Sequence, residues 1–475
     1  MLIGGEAVEA QSGKTMEVRD PANGEVVDTV PRAAAGDVQA AVQAAHRAFP
    51  GWAATAPHKR AQLLYAAARQ VRESVPEMAK LLTREQGKTL RESTIEAARV
   101  AANLEYYAGV ADKVRGDYVT LEDPSAFGLV IKRPVGVVAA ITPWNFPLTL
   151  MANKICPALA AGCTVVLKPA STTPLATQKC VEVINAAGLP AGVLNIVHGS
   201  GGEIGSALTG HPLVSKIAFT GQTETGKDIM RIAAQNVTRI TLELGGSDPC
   251  IVCDDADLEK AARAVAIGRF FNAGQACLAV KRLYLFSAIA EQFMELIAGR
   301  AKKLKVGNGM SEGAMMGPLH TERQRAEVEA QVADAVKRGA RVLAGGGRPE
   351  GSEFEKGWFM QPTVLADVAE DSRMATEEVF GPALPIFIVA DLDEAIAKAN
   401  GSVYGLGSSI WTRDLARARR AAEQIDAGYT WVNAIQVAHD ELPFGGLKQS
   451  GFGKEHGLEA LDSYLERKSV VLATA

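Results

Sequence analysis

A chain of 475 residues is too long for one ordinary hydrophobic core, so two or three domains are expected, with room for a cleft between them. Hydrophobic residues at 47% and charged residues at 22% are the proportions of a globular protein and exclude a disordered or fibrous chain. With 50 basic residues against 54 acidic ones, the formal charge of -4 builds no phosphate-tracking surface, which argues against nucleic-acid binding.

The opening residues, Met1 to Gly5, lack the basic start and apolar run of a secretory leader, so export is not expected. The longest apolar stretch, near Val135 to Ile141, ends well short of a membrane span. Six cysteines (Cys156, Cys163, Cys180, Cys250, Cys253 and Cys277) match the thiol usage of a reducing compartment, and a cytoplasmic location is expected.

In chain order, helical periodicity runs from Asp37 to about Asp112. Val38, Ala41, Val42, Ala45 and Phe49 share one face after an Asp37 cap, and further helices are expected to begin near Pro57 and Pro76. Two extended runs, Tyr118 to Leu121 and Phe127 to Lys132, flank an Asp123-Pro124-Ser125 turn and read as a hairpin. From Val135 to Val252 strand-like and helix-like runs alternate, the pattern of a parallel sheet. Its strands are expected at Val135–Ile141, Thr164–Lys168, Leu194–Val197, Lys216–Phe219 and Ile240–Leu244. Ligands of such sheets sit outside the carboxyl ends of the strands, so the loops there are where a cofactor belongs.

A second α/β series follows from Ala256 to about Trp431, with helical runs at Leu258–Phe270, Glu322–Arg338 and Leu392–Asn400 and a strand at Arg282–Phe286. Ser469 to Ala473 is again strand-like. Together with the hairpin it offers edges that a monomer would leave unpaired, which predicts a homodimer or homotetramer.

Cys277 lies in Phe270-Phe271-Asn272-Ala273-Gly274-Gln275-Ala276-Cys277-Leu278-Ala279, a glycine-containing turn between a helix and a strand. A lone cysteine is usually a small buried hydrophobe, but small neighbours in a turn leave room for a substrate at the sulfur. Its context changes the reading. Pro143-Trp144-Asn145-Phe146-Pro147, Leu167-Lys168-Pro169-Ala170, Phe219-Thr220-Gly221, Leu242-Glu243-Leu244-Gly245-Gly246, Gly274-Gln275-Ala276-Cys277, Glu377-Glu378-Val379-Phe380-Gly381-Pro382 and Pro443-Phe444-Gly445-Gly446 occur in that order. Together they resemble the NAD(P)-dependent aldehyde dehydrogenase superfamily, over nearly the whole chain and in its broad-specificity or succinate-semialdehyde-dehydrogenase-like branch.

The resemblance implies an α/β fold with a Rossmann-like cofactor domain (1–115 and 135–245), an α/β catalytic domain (246–449) and a small β oligomerisation arm (116–134 and 465–475). It implies that Cys277 attacks the aldehyde carbon, that Asn145 and the Cys277 N–H hold the oxyanion, and that Glu243 activates the water that hydrolyses the thioester. Around NAD or NADP it places Trp144, Lys168, Ser171, Gly201, Phe219, Gly221, Gln222, Gly245, Glu378 and Phe380. Lys168 is placed at the adenosine ribose and Glu378 at the nicotinamide ribose, with Phe380 beside it. The helix opened by Gly221-Gln222 is placed with its N-terminus toward the pyrophosphate, although many members have Ser at the Gln222 position. Members strict for NAD carry Glu three residues after the strand-end lysine. Ser171 stands there, so NADP is expected to be accepted.

For the aldehyde, the resemblance places Leu150, Asn153, Phe271, Ala276, Leu278, His439 and Phe444 around the substrate, in a mouth formed by Ala434 to Leu442. The semialdehyde branch holds a distal carboxylate with two arginines, and Asn153 and Phe271 occupy those positions. An unpaired buried carboxylate costs several kcal/mol. Neutral short aliphatic, hydroxylated or small aromatic aldehydes are therefore favoured, with Asn153 bonding a hydroxyl. Succinate-semialdehyde oxidation and transfer of the acyl group to CoA are the alternative activities, and Glu243 counts against the second. An inactive binding protein of the same fold is a further alternative. The Cys250 and Cys253 pair sits in a strand-like run without a second Cys or His pair nearby, so no metal is expected.

Overall fold

The computed structural model describes residues 1–434 and 436–473. Its first helices follow from local chemistry. The helix Leu90–Val110 opens with a reciprocal cap, in which the Thr89 hydroxyl accepts from the Glu92 N–H while the Glu92 carboxylate accepts from the Thr89 N–H. Asp37 is not a cap residue. The first long helix spans Ala35–Ala54, and Asp37 in its first turn reaches back to accept from the Ala34 N–H at 2.8 Å.

Pro76 does not start a helix either. It lies inside Pro57–Gln86 and faces solvent, where the carbonyl it leaves unbonded can be hydrated. An interior proline costs about 3 kcal/mol. Burial of Val71, Val75, Met78, Ala79 and Leu82 on the other face, at ~1.5 to 3 kcal/mol for a large apolar side chain, outweighs it.

The first sheet has eight strands in the order Glu6–Ala7, Leu2–Ile3, Leu194–Ile196, Thr164–Lys168, Val137–Ile141, Val214–Thr220, Arg239–Glu243 and Gly451–Phe452. The five central strands are parallel. Val137–Ile141 and Thr164–Lys168 are buried throughout because helices cover both faces, which is why they read as continuous apolar runs. Register aligns their carboxyl ends: Ile141 pairs with Lys168 and with Phe219, and Thr220 pairs with Glu243. The motifs recognised in sequence thus fall along one edge.

The second sheet runs Arg341–Ala344, Thr363–Ala366, Ala383–Val389, Val280–Phe286, Asp248–Val252, Gly407–Trp411 and Tyr429–Val432. It is parallel except at its first pair. Cys250 and Cys253 are both packed in its hydrophobic core, Cys253 just beyond the strand end. After Tyr429–Val432 the chain returns to the first sheet, where Gly451–Phe452 pairs antiparallel with the end of Arg239–Glu243.

The terminal strand joins the hairpin in one sheet. Leu465–Ala473 pairs with Ala126–Pro134 over its whole length, and Asp117–Thr120 lies on the other side of Ala126–Pro134. Only the outer edges of this three-stranded sheet are unpaired, and positions 474 and 475 of the expected arm lie outside the described residues. No helix among the described residues is long and apolar enough to cross a membrane.

Candidate active site

A cavity of about 430 Å³ opens where the carboxyl edge of the first sheet faces the loops of the second. It is lined by Trp144, Asn145, Gly221, Gln222, Glu243, Gly245, Cys277, Glu378 and Phe380, all expected from sequence, and by Tyr404 and Gln449, which were not.

Cys277 sits on a loop under backbone strain. Asn272, Ala273 and Gly274 are all left-handed, with φ of 52°, 52° and 72°. Left-handed backbone at an L-residue costs roughly 1 to 2 kcal/mol, so neighbouring bonds must hold it. They do: Glu92 accepts from the Asn272 N–H at 2.7 Å, and the Asn272 side chain donates to Asn145 O and Gln275 O at 2.9 and 3.2 Å. At Gly274 a Cβ would run into the Gly381 carbonyl, so only glycine fits.

Asn145 is fixed from behind. Its carbonyl accepts from the Lys88 ammonium at 2.7 Å, and Lys88 is paired with Glu96. The other Glu96 oxygen accepts from the first N–H groups of the helix Pro147–Ala161, at Leu148 and Thr149. One N–H of the Asn145 amide goes to Gln275 O at 3.2 Å, which leaves the second for the cavity. The Cys277 N–H has no acceptor among the described residues.

Glu243 faces the sulfur. Glu243 is 2% exposed, and neither carboxyl oxygen is hydrogen-bonded by another described residue, although the Cys277 thiol lies close by. Burial, reinforced by the nearby Glu455 carboxylate, pushes its pKa up to about 8, against the pull of Lys154. Burial and then the Glu243 charge push the Cys277 thiol up as well, while Lys281 draws it down. Glu455 itself is held below the usual carboxylate range. Burial alone would raise it, but the Lys154 ammonium at 2.5 Å and the Asn153 amide at 3.0 Å outweigh burial.

Of the substrate candidates, Phe444 and Leu278 cluster with Cys277. Phe444, Leu406 and Trp431 form an apolar cluster against which Cys277 and Leu278 pack. Phe271 stacks on Phe146 with rings parallel within 3° and centroids 6.1 Å apart, and Tyr429 stacks on Trp431 at 4.4 Å. Leu150 and Ala276 are buried. Asn153 departs from expectation: an N–H is committed to Glu455 and the side chain is 4% exposed, so only its unpartnered Oδ1 could meet a hydroxyl. None of the expected substrate residues is in the cavity lining, His439 is exposed, and position 435 of the expected mouth lies outside the described residues.

The remaining cofactor candidates continue along the same edge, beyond the cavity lining. Lys168 ends its strand 5% exposed, and burial lowers its pKa to about 8. Ser171 is half-buried in the following loop, and Gly201 begins an exposed turn after the neighbouring strand. Phe219 is buried, and its ring lies where a Gly221 side chain would be, so glycine there keeps the cleft floor open. The helix Thr223–Ala233 starts at Gln222 with no side-chain cap, so its first N–H groups are free to meet a ligand in the cleft. Trp144 stacks on His320 at 4.6 Å and meets Phe380 edge-on. These residues fit an extended dinucleotide: the Lys168 cation and the uncapped helix end lie at the carboxyl edge of the first sheet, and the Glu378 carboxylate lines the cavity from a loop of the second.

Lys88, Glu92, Glu96, Lys154, Lys281, His320 and Glu455 were missed from sequence. Only Lys154 carried a signal, as the one charged residue in the otherwise neutral Pro147–Ala161. Chemically the centre offers a thiol, two N–H donors and an unpartnered carboxyl around one point, the parts needed to add sulfur to a carbonyl and to activate water.

Comparison with known proteins agrees with this geometry. The family model described as "Aldehyde dehydrogenase family" matches residues 7–470. Glutarate-semialdehyde dehydrogenase of Pseudomonas putida is 42% identical over 471 residues, covering 99% of this chain and 97% of the relative. The succinate-semialdehyde dehydrogenase of Escherichia coli K12, named for NADP+, is 41% identical over 467 residues, covering 98% and 96%. A crystal structure of betaine aldehyde dehydrogenase from Staphylococcus aureus in complex with NAD+ superposes with a TM-score of 0.97 at 38% identity, covering 100% of this chain and 94% of that one.

Proposed function

The chain belongs to the aldehyde dehydrogenase family and oxidises an aldehyde to its acid with NAD or NADP; from that premise we propose that Cys277 is the nucleophile, Glu243 the base and a neutral aldehyde the substrate. The observation that carries the reading is the pairing of the Cys277 thiol with an unpartnered Glu243 carboxyl in one cavity. The thiol proton is released to solvent as Cys277 Sγ bonds to the carbonyl carbon, and the free Asn145 N–H and the Cys277 N–H donate to the oxyanion. One such donor is worth ~3 to 4 kcal/mol of barrier. A bound nicotinamide supplies the hydride acceptor, held beside Glu378 and Phe380. Cys277 is left as a thioester, and Glu243 then takes a proton from water as its oxygen attacks the acyl carbon. The acid departs and the sulfur is restored.

A neutral substrate is supported by the apolar cluster around Phe444 that packs against Cys277, by the Phe146–Phe271 stack and by the absence of an arginine at Asn153 and Phe271. Lys154, Lys281 and Arg99 are each already paired with a carboxylate. Several kcal/mol for an unpaired carboxylate predicts a kcat/KM for succinate semialdehyde at least about 100-fold below the best neutral aldehyde. The relatives that act on semialdehydes make the opposite outcome the second reading, and a substrate panel decides: succinate or glutarate semialdehyde exceeding every neutral aldehyde overturns the proposal. Product analysis with CoA present should yield free acid only.

Ser171 leaves no charge to repel a ribose 2′-phosphate, so NADP+ is accepted. Ser171→Glu should move the ratio of kcat/KM for NAD+ over NADP+ toward NAD+ by at least about tenfold. An unchanged ratio would remove Ser171 from the cofactor site. Assembly as a homodimer or homotetramer in the cytoplasm completes the proposal. It is supported by the wholly exposed edge strand Asp117–Thr120 and by six cysteines that are all free thiols.

A further inference from the structure

Behind the Cys277 loop lies a charge that the reaction as written does not use. Lys281, in the strand Val280–Phe286, is completely buried. Its ammonium donates to Cys277 O at 2.8 Å, to Gly246 O at 2.9 Å and to the Glu378 carboxylate, which also accepts from the Gly246 N–H at 3.1 Å. An ammonium has three N–H donors, and these three acceptors take all of them. One cation therefore ties together the loop of the thiol, the glycine turn after Glu243 and the carboxylate lining the other side of the cavity.

We propose that Lys281 is a positioning residue that fixes the Cys277 main chain through its carbonyl oxygen and sets the acidity of the thiol by a charge that Glu378 partly neutralises. Holding the carbonyl fixes the rotation of the backbone that aims the sulfur, and it does so beside a loop already in left-handed backbone. The charge acts through space, because no donor remains for the sulfur itself. The groups around the thiol are Glu243 on the first sheet, Asp248 and Lys281 on the second, and Glu378 on the adjoining loop. Arg269, whose Nη2 donates to Val379 O, stands behind Glu378. Glu243 and Asp248 thus oppose the thiolate, Glu378 is bonded to Lys281, and Lys281 is the cation among these groups whose bonds reach the cysteine itself.

The inference rests on Cys277 being the nucleophile, yet it is tested without turnover. Iodoacetamide reacts with the thiolate, so its rate at Cys277, followed by peptide mass against pH, reports the acidity of that thiol in the intact enzyme. Lys281→Met should move the midpoint upward and slow alkylation at pH 8 by about tenfold or more, because a thiol made ten times less acidic holds about a tenth of the thiolate at that pH. Lys281→Arg should recover most of the rate. Glu378→Gln, which removes the neutralising charge, should move the midpoint downward and speed alkylation several-fold. Opposite changes from two partners of one ion pair are not produced by a merely structural role. A folded Lys281→Met protein with the wild-type midpoint, or two variants moving the same way, overturns the proposal. Should the methionine variant not fold, Lys281→Gln and Glu378→Gln carry the same comparison. Failure of Cys277 as nucleophile would show separately, as turnover that survives its replacement.

Discussion

Cys277→Ala will lose aldehyde oxidation by roughly 10⁴- to 10⁶-fold, the scale on which enzymes fail when a covalent nucleophile is removed, measured as reduced nicotinamide formed per enzyme. The size of the loss follows from what else is present. The other five cysteines are buried. Burial pushes Cys163 up to about 11 and Cys180, Cys250 and Cys253 to about 12, and raises Cys156 as well. None of them lines the cavity beside Glu243, as Cys277 does. Because Cys277 packs only partly buried against Leu406, Trp431 and Phe444, truncation to alanine removes the sulfur without a large cavity. The variant should remain folded and bind cofactor. Activity within tenfold of the parent would end the covalent account.

Glu243→Gln should act later in the cycle. The amide is nearly the same size and the site is buried, so the fold survives, but no group remains to take a proton from water. General-base catalysis is worth roughly 10²- to 10⁴-fold, and steady-state turnover should fall by that factor. Because the thiol proton goes to solvent rather than to Glu243, one equivalent of reduced cofactor should still appear per site before the slow phase.

The parent enzyme's pH profile follows from the same residue. With a pKa near 8, Glu243 is protonated below that pH and cannot act as base. The rate should therefore climb about tenfold for each step of one in pH toward 8 and level off above it. The glutamine variant should lose this limb. A flat parent profile between pH 6 and 8 would remove Glu243 from the rate-determining step.

How legible this was from the chain varied with the range of the forces involved. The strand Thr164–Lys168 is readable with its observed bounds, because a parallel strand buried on both faces is an unbroken apolar run between turn residues. Leu2–Ile3 and Glu6–Ala7 are not, since two residues carry no period, and the place of Leu2–Ile3 beside Leu194–Ile196 is decided by a contact almost 200 residues away. Pro76 misleads because a local helix breaker is overruled when its helix packs well. The pairing of the terminal strand is hidden for a related reason: its partner, Ala126–Pro134, is remote in sequence.

The site divides in the same way. Cys277, Glu243, Asn145 and Glu378 stand in short motifs and are legible. Lys88, Glu92, Glu96 and Lys281 look in sequence like the solvated charges that most lysines and glutamates are. Only the fold makes them the buried frame that holds Asn145 and the cysteine loop.

The central claim is tested most directly on the Glu243→Gln enzyme, mixed with aldehyde and NAD(P)+, quenched in acid after one turnover and digested. The account predicts that the peptide containing Cys277 gains the mass of the aldehyde less two hydrogens, at close to one equivalent per chain. Product formed while that peptide stays unmodified, or an acyl group found on any other residue, would contradict it.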